Sequence, residues 1–336
     1  MTDKPTCLVS VIIPTTGSRP VLLMRAIESA LSDFQCDEVE VLVIPNGSRD
    51  RWHQAIDSLP NYQNVHVYPI ETANVCSARN YGLSKATGKF VRFLDDDDFL
   101  IPKIAVKQCK ELWTSNADVS SYAVRIEDEN NCTCATIAQP VTSDFVLSQL
   151  GPYRNQMTMS HIYRHSIIKN LKWNEKYNVS EDIVWLLSLA ESQEVSWLKG
   201  DEIVGVWYQH TGPRLSYTKA ANEPHKITAE SILNAIEMLS RQGRINTGRK
   251  NAAAAGLWAC IHKAFYFDPL YWHRVAMRAL ILDPDSHPDL NIYHSHLCNR
   301  LNPLLIEWLM LPKRTFNNLV RQLCGYLFGW DYVRRL

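Results

Sequence analysis

Short apolar runs alternate with amphipathic stretches through the first third of the chain. Residues 8–13 (LVSVII) are crowded with β-branched side chains and stop at Pro14 and the turn-forming TTGSRP, which predicts a buried strand. Pro20 suits the first position of a helix, and Leu23, Ile27, Ala30 and Leu31 then recur on one face. The unit repeats at residues 39–44, broken at Pro45-Asn46-Gly47-Ser48, with Asp50 expected to cap the next helix. Residues 65–70 read as a third, edge-like strand. Residues 76–86 space Ala78, Tyr81, Leu83 and Ala86 as a helix, and Gly88 is expected to end it through a positive φ. Phe90, Val91, Phe93 and Leu94 then form a strand that runs into four consecutive aspartates, Asp95 to Asp98, before a helix near Pro102. Strands alternating with helices predict a largely parallel sheet covered on both faces, with its ligand at the carboxyl edge.

That acidic strand end is the first candidate for chemistry. Four adjacent carboxylates repel one another unless a cation or several donors compensate them, and hard divalent ions favour oxygen ligands. A metal accounts for the cluster most simply; a solvated acidic loop is the alternative for an isolated run. The remaining composition narrows the field. In 336 residues, 35 basic side chains balance 35 acidic ones, so no global field recruits nucleic acid. The hydrophobic share of 46% is ample for a packed core. The nine cysteines are scattered without CxxC pairs, against zinc and a disulfide framework. The polar MTDKPTC start and the lack of a long uncharged apolar run lead us to expect a cytoplasmic protein. Neither GxGxxG nor GxxxxGK[ST] occurs.

VSVIIPTTGSRP, VEVLVIPNGSRD, NVCSARNYGLSKATGKFVRFLDDDDFLIP, KWNEKYNVSEDIVWLLSLA and YQHTGPRLS together resemble the ordered motifs of family 2 glycosyltransferases. The resemblance implies a GT-A fold over residues 1–217: a Rossmann-like, mixed and mainly parallel sheet flanked by helices. Residues 1–110 would hold the nucleotide and 111–217 the acceptor. Beyond it, residues 224–243, 251–267 and 269–282 are helical by periodicity, predicting a helical subdomain over 218–336.

By the same resemblance, Pro14, Thr15, Arg19, Asn46, Arg79, Asp95 and Asp96 would contact the donor nucleotide, a UDP-sugar being expected. Asn46 stands where the family usually has an aspartate accepting from the base, and Pro45 replaces another. An asparagine accepts through its carbonyl oxygen but also donates, which leaves the base open. Asp97 of the DxD signature and His210 would ligate Mn²⁺ or Mg²⁺, while Arg214 and Ser216 would close over the phosphates. Asp182, about 85 residues beyond Asp97, would be the general base of an inverting displacement. Glu181 would help bind the acceptor; Trp173, the other acceptor candidate, reads equally as a sugar contact or as packing, as do Tyr153, Arg154, Gln156 and His161. On its own the Glu181–Asp182 pair also reads as an acidic first turn complementing a helix dipole.

The implied function is transfer of a sugar from a nucleotide diphosphate donor to a saccharide or lipid-linked saccharide, in cell-surface glycan synthesis. Two other classes use similar acids: a metal-dependent sugar-phosphate nucleotidyltransferase and a non-catalytic sugar-binding module. Residues 301–336 combine apolar and aromatic residues with Lys313, Arg314, Arg321, Arg334 and Arg335. They fit either a helix on the inner face of an anionic membrane or a hairpin packed on the domain or on another subunit of a homo-oligomer.

Overall fold

The computed structural model describes residues 7–210, 222–294 and 301–328. Arg214, Ser216 and residues 329–336 lie outside them. The chain divides into two compact units, Met1–Gln149 with Tyr153–Thr218, and Leu150–Pro152 with Lys219–Leu336.

The first unit begins with three βα repeats: β1 (Val9–Thr15), α1 (Pro20–Leu31), β2 (Val39–Pro45), α2 (Arg49–Asp57), β3 (Val65–Val67) and α3 (Val75–Lys85). There follow β4 (Phe90–Phe93), β5 (Phe99–Leu100), α4 (Pro102–Thr114), β6 (Val119–Asp128), β7 (Thr133–Ile137), α5 (Phe145–Leu150), β8 (His161–Arg164), α6 (His165–Ile168), α7 (Glu181–Ser192) and β9 (Trp197–Gln209). The strands form one sheet in the order β3-β2-β1-β4-β8-β6-β9-β5, with β7 beside β6. β1 pairs in parallel with both β2 and β4. β8 runs against β4 and β6, and β6 is parallel to β9. Two reversals cancel, so β1, β2, β4, β6 and β9 all point the same way and their carboxyl ends share one edge. Every residue of β1 and β2 is buried, as the continuous apolar runs require of strands covered on both faces.

Several boundaries differ from the sequence expectation for local reasons. Asp50 lies inside the first turn of α2, whose N-cap position belongs to Ser48. Asn74 caps α3 by accepting from the Ser77 amide at 2.9 Å. Gly88 does not end α3: Ala86 takes the cap in an extended conformation, and Gly88 is absent from the positive-φ glycines. Its role is closeness, since a Cβ there would stand 2.6 Å from the Ser10 backbone nitrogen. Gly17 does carry a positive φ, 71°, in the turn that leads from β1 to Arg19.

The second unit is helical: α8 (Glu223–Arg241), α9 (Thr247–Ala264), α10 (Pro269–Leu282) and α11 (Pro303–Phe328). Asn246 and Asp268 cap α9 and α10 with their side chains. Glu307 of α11 is fully buried and accepts from His262 of α9 at 2.8 Å and from Arg314 at 2.5 Å, tying α11 to α9.

Candidate active site

The shared carboxyl edge gathers most of the chemistry the sequence marked. β1 delivers Thr15, β2 is followed by Asn46, β4 by the four aspartates and β9 by His210. Each aspartate has its own compensation. Asp95 accepts from Arg79 Nη2 at 2.6 Å. Asp96, only 3% exposed, takes Thr15 Oγ1 at 2.5 Å and Arg19 Nη2 at 2.6 Å. Asp97 Oδ2 lies 2.8 Å from Arg19 Nη1 and 2.9 Å from His210 Nε2. Asp98 accepts from the Tyr208 amide at 3.0 Å, which fastens the end of β9 to the acidic turn. Protein donors therefore hold all four carboxylates. Burial nonetheless pushes the Asp96 carboxyl up to about 6, against the pull of Arg19 and Thr15.

Arg79 joins this turn to α7. It is buried at 2% exposure, donates to Asp95 through one nitrogen and to Glu181 through the other at 3.2 Å, and lies 4.3 Å over the Trp173 ring. Burial alone would weaken its hold on the proton, but Asp95 and Glu181 more than offset that and shift it upward. Glu181 and Asp182 open α7 behind Ser180, whose φ of 56° is uncommon for a residue with a side chain. Asp182 Oδ1 accepts from the Ile183 amide at 2.7 Å. Desolvation first, and then the Glu181 charge, raise the Asp182 carboxyl to about 7; the Ile183 amide and Arg79 oppose them. Asp182 also feels the charge of Asp95. Arg79 thus bridges the two acidic segments.

Other predicted contacts fall differently. Pro14 and Thr15 stand at the end of β1, both buried. Asn46 donates its side-chain amide to the Thr15 carbonyl at 2.9 Å, so its Nδ2 is engaged within the sheet edge. Trp173 is 2% exposed and stacked 4.6 Å from Trp185 at 6°, beside Phe93, so its ring carries Arg79 and leaves no open face for a sugar. His161 is likewise buried, with Ser121 Oγ at 2.6 Å and the Asn155 carbonyl at 2.9 Å, and burial lowers it to about 4. Tyr153 is 67% exposed.

Arg25 escaped the sequence reading. Its guanidinium sits 4.1 Å from both the Phe99 and Tyr208 rings and donates to the Asp97 carbonyl at 3.1 Å, clamping the acidic turn from behind. An arginine inside a helix, unlike Arg79 in its motif, carries no pattern that announces such a role.

Asp97 Oδ2 and His210 Nε2 converge as a metal seat would. Among the described residues no group of three or more His, Cys, Asp or Glu side chains is placed to hold an ion. Magnesium-like ions often take only one or two protein ligands, completing the shell with water and substrate phosphates. The pair fits an ion shared with a bound diphosphate, with Arg19 Nη1 3.0 Å from His210 competing for the same atoms.

The fold is of the GT-A kind, a sheet whose carboxyl edge carries acids and arginines. The sequence pattern of glycosyl transferase family 2 matches residues 10–179, half of the chain, and the protein belongs to that family. The family is named for glycosyl transfer, which favours that chemistry over the nucleotidyltransferase and the non-catalytic module. A GalNAc(5)-diNAcBac-PP-undecaprenol beta-1,3-glucosyltransferase of Campylobacter jejuni is 26% identical over 183 residues, 53% of this chain and 58% of that protein. The poly(ribitol-phosphate) beta-N-acetylglucosaminyltransferase TarS of Staphylococcus aureus is 34% identical over 93 residues, 27% of this chain and 16% of TarS. The chain thus spans less than two thirds of each of these relatives. The crystal structure of S. aureus TarS 1-349 with UDP-GlcNAc superposes with a TM-score of 0.59 at 20% identity, covering 83% of this chain and 82% of that one. The mannosyltransferase PcManGT of Pyrobaculum calidifontis, in complex with GDP-Man and Mn2+, gives 0.51 at 14% identity over 93% and 88%.

Proposed function

We propose that the chain transfers a glycosyl group, with inversion, from a UDP-sugar to a hydroxyl of a saccharide or lipid-linked saccharide, using Mn²⁺ or Mg²⁺. The carrying observation is Arg79, which bonds Asp95 on one side and Glu181 on the other and so ties the donor-side acids to the Asp182 turn. UDP-GlcNAc in the TarS structure and the undecaprenol-linked substrate named for the C. jejuni enzyme support the donor and acceptor classes.

Each role follows from the local chemistry. Because the Asn46 amide nitrogen is committed to Thr15, its Oδ1 is the atom left to accept, and a uracil N–H is a matching donor. Pro14 and Thr15 wall the base and ribose, and Asp95 accepts from a ribose hydroxyl. Asp97 and His210 would hold the divalent ion, which when bound neutralises charge growing on the departing diphosphate. Asp96, locked by Thr15 and Arg19, fixes the turn that carries Asp97, and Arg19 turns its guanidinium toward the phosphates. Asp182 takes the acceptor proton as the acceptor oxygen bonds the anomeric carbon and the electron pair of the broken C–O bond leaves with the diphosphate. A carboxylate raised to about 7 is well matched to that transfer near neutrality. Glu181 stays ion-paired and orients Arg79 and the acceptor, whereas Trp173 supports Arg79 from beneath.

The test is nucleoside diphosphate release from a panel of UDP-, GDP- and dTDP-sugars with Mn²⁺. Release of UDP from a UDP-sugar, lost in Asp97→Asn, is expected. Pyrophosphate as the product, or turnover indifferent to both metal and Asp97, contradicts the reading.

A further inference from the structure

We propose that the outward faces of α10 and α11 form a docking surface for an anionic membrane, reversible and interfacial rather than spanning. Along α10 the exposed positions are Leu270, Arg274, Met277, Arg278 and Ile281, a stripe at helical spacing that alternates apolar and basic residues. Leu270 and Ile281 are 72% and 73% exposed. On α11, Leu305, Leu309 and Phe316 are 49%, 68% and 65% exposed, with Lys313 between them. The two helices touch through Trp308, whose indole nitrogen donates to His273 Nδ1 at 3.1 Å, so the stripes adjoin. Single exposed apolar residues are ordinary, but a run of them on adjoining helices marks a covered surface.

Charge selects the occupant. α10 contains no acidic residue, and the one acid of α11 up to residue 320, Glu307, is wholly buried against His262 and Arg314. A second copy meeting this face across a two-fold axis would bring two basic, acid-free faces together. Phosphate headgroups complement the same charges, while Trp308 and Phe316 are side chains suited to the headgroup boundary. Among the described residues no helix is long and apolar enough to cross a bilayer, in keeping with a surface that lies on it. This surface extends the expectation for residues 301–336, because α10 supplies half of it. It stands independently of the transferase reading.

The full chain is mixed with vesicles of phosphatidylglycerol and phosphatidylcholine, or of phosphatidylcholine alone, and floated through a density gradient at low and high salt. Wild type is expected to float with the anionic vesicles and to stay behind with the neutral ones. The triple variant Arg274→Gln, Arg278→Gln, Lys313→Gln is expected to partition roughly 100-fold more weakly. Leu309→Glu with Phe316→Glu is expected to abolish flotation, with circular dichroism confirming the fold. Failure of wild type to float at millimolar anionic lipid overturns the proposal without recourse to any variant. So does a dimer, seen by light scattering in the absence of lipid, that Leu309→Glu with Phe316→Glu dissociates.

Discussion

Asp182→Asn is expected to make the enzyme at once slower and more stable. Asparagine keeps an oxygen for the Ile183 amide, which Asp182 holds at 2.7 Å, so the first turn of α7 keeps its bond. What changes is the charge. The Asp182 carboxyl lies near 7 against an ordinary 3.8, so between those values the folded protein holds a proton that the unfolded chain has lost. Folded stability therefore falls as pH rises through that window, and the substitution removes the fall. A rise of about three units corresponds to a ceiling of about 4 kcal/mol. Partial solvation of the half-buried side chain reduces this to roughly 1–2 kcal/mol. For a unit of this size that is an increase in Tm of roughly 2–8 °C at pH 8, shrinking toward zero near pH 4. Loss of the base should lower kcat by about 10²–10⁴-fold with donor affinity unchanged. Calorimetric melting at pH 4 and pH 8, beside steady-state kinetics, reads both. A variant less stable than wild type at pH 8, or one within about tenfold of its kcat, would remove Asp182 from this role.

Other outcomes follow from the same contacts. Wild-type kcat/KM should fall tenfold per pH unit below about 7, as Asp182 takes up its proton, and level off above it; a flat profile from pH 5 to 8 contradicts the assignment. Arg79→Met strands Asp95 and Glu181 without their shared donor and should cost roughly 3–5 kcal/mol in chemical denaturation, whereas an unchanged midpoint would mean the bridge is idle. Arg19→Gln removes the cation that competes at Asp97 and His210, so Mn²⁺ titrated without nucleotide, followed by electron paramagnetic resonance, should bind about tenfold more tightly; equal or weaker binding counts against a shared seat. Gly88→Ala drives a methyl group into the Ser10 backbone and should destabilise by about 1–3 kcal/mol, measured by urea unfolding.

The first half of the sheet was largely legible because its strands are covered on both faces and so read as unbroken apolar runs, while Pro, Gly and Asn mark their ends. The strand end at Asp95 to Asp98 was visible for the same reason. The other half was not. β6 carries Ser120 and Ser121 into the interior, where Gln108 bonds the Ser120 carbonyl and His161 bonds the Ser121 hydroxyl, so a buried strand looks polar in sequence. Arg92 is buried beside Gln108 and the Met159 carbonyl, a placement that hydrophobic patterning assigns to no arginine. Trp173 read equally as a sugar contact or as packing, and what decides it, Phe93 of β4 and Trp185 of α7, lies outside its own segment and gives no local sign. Arg25 shares this difficulty, since its two stacking rings come from β5 and β9.

At the centre of the proposed function stands a carboxyl edge that would grip a nucleoside diphosphate through Asp97. Titration calorimetry of UDP with and without Mn²⁺, in wild type and in Asp97→Asn, addresses this most directly. Wild type should bind UDP at least tenfold more tightly with the metal, and Asp97→Asn should bind equally weakly in both conditions. Tight binding that ignores Mn²⁺ and survives Asp97→Asn would place the donor elsewhere.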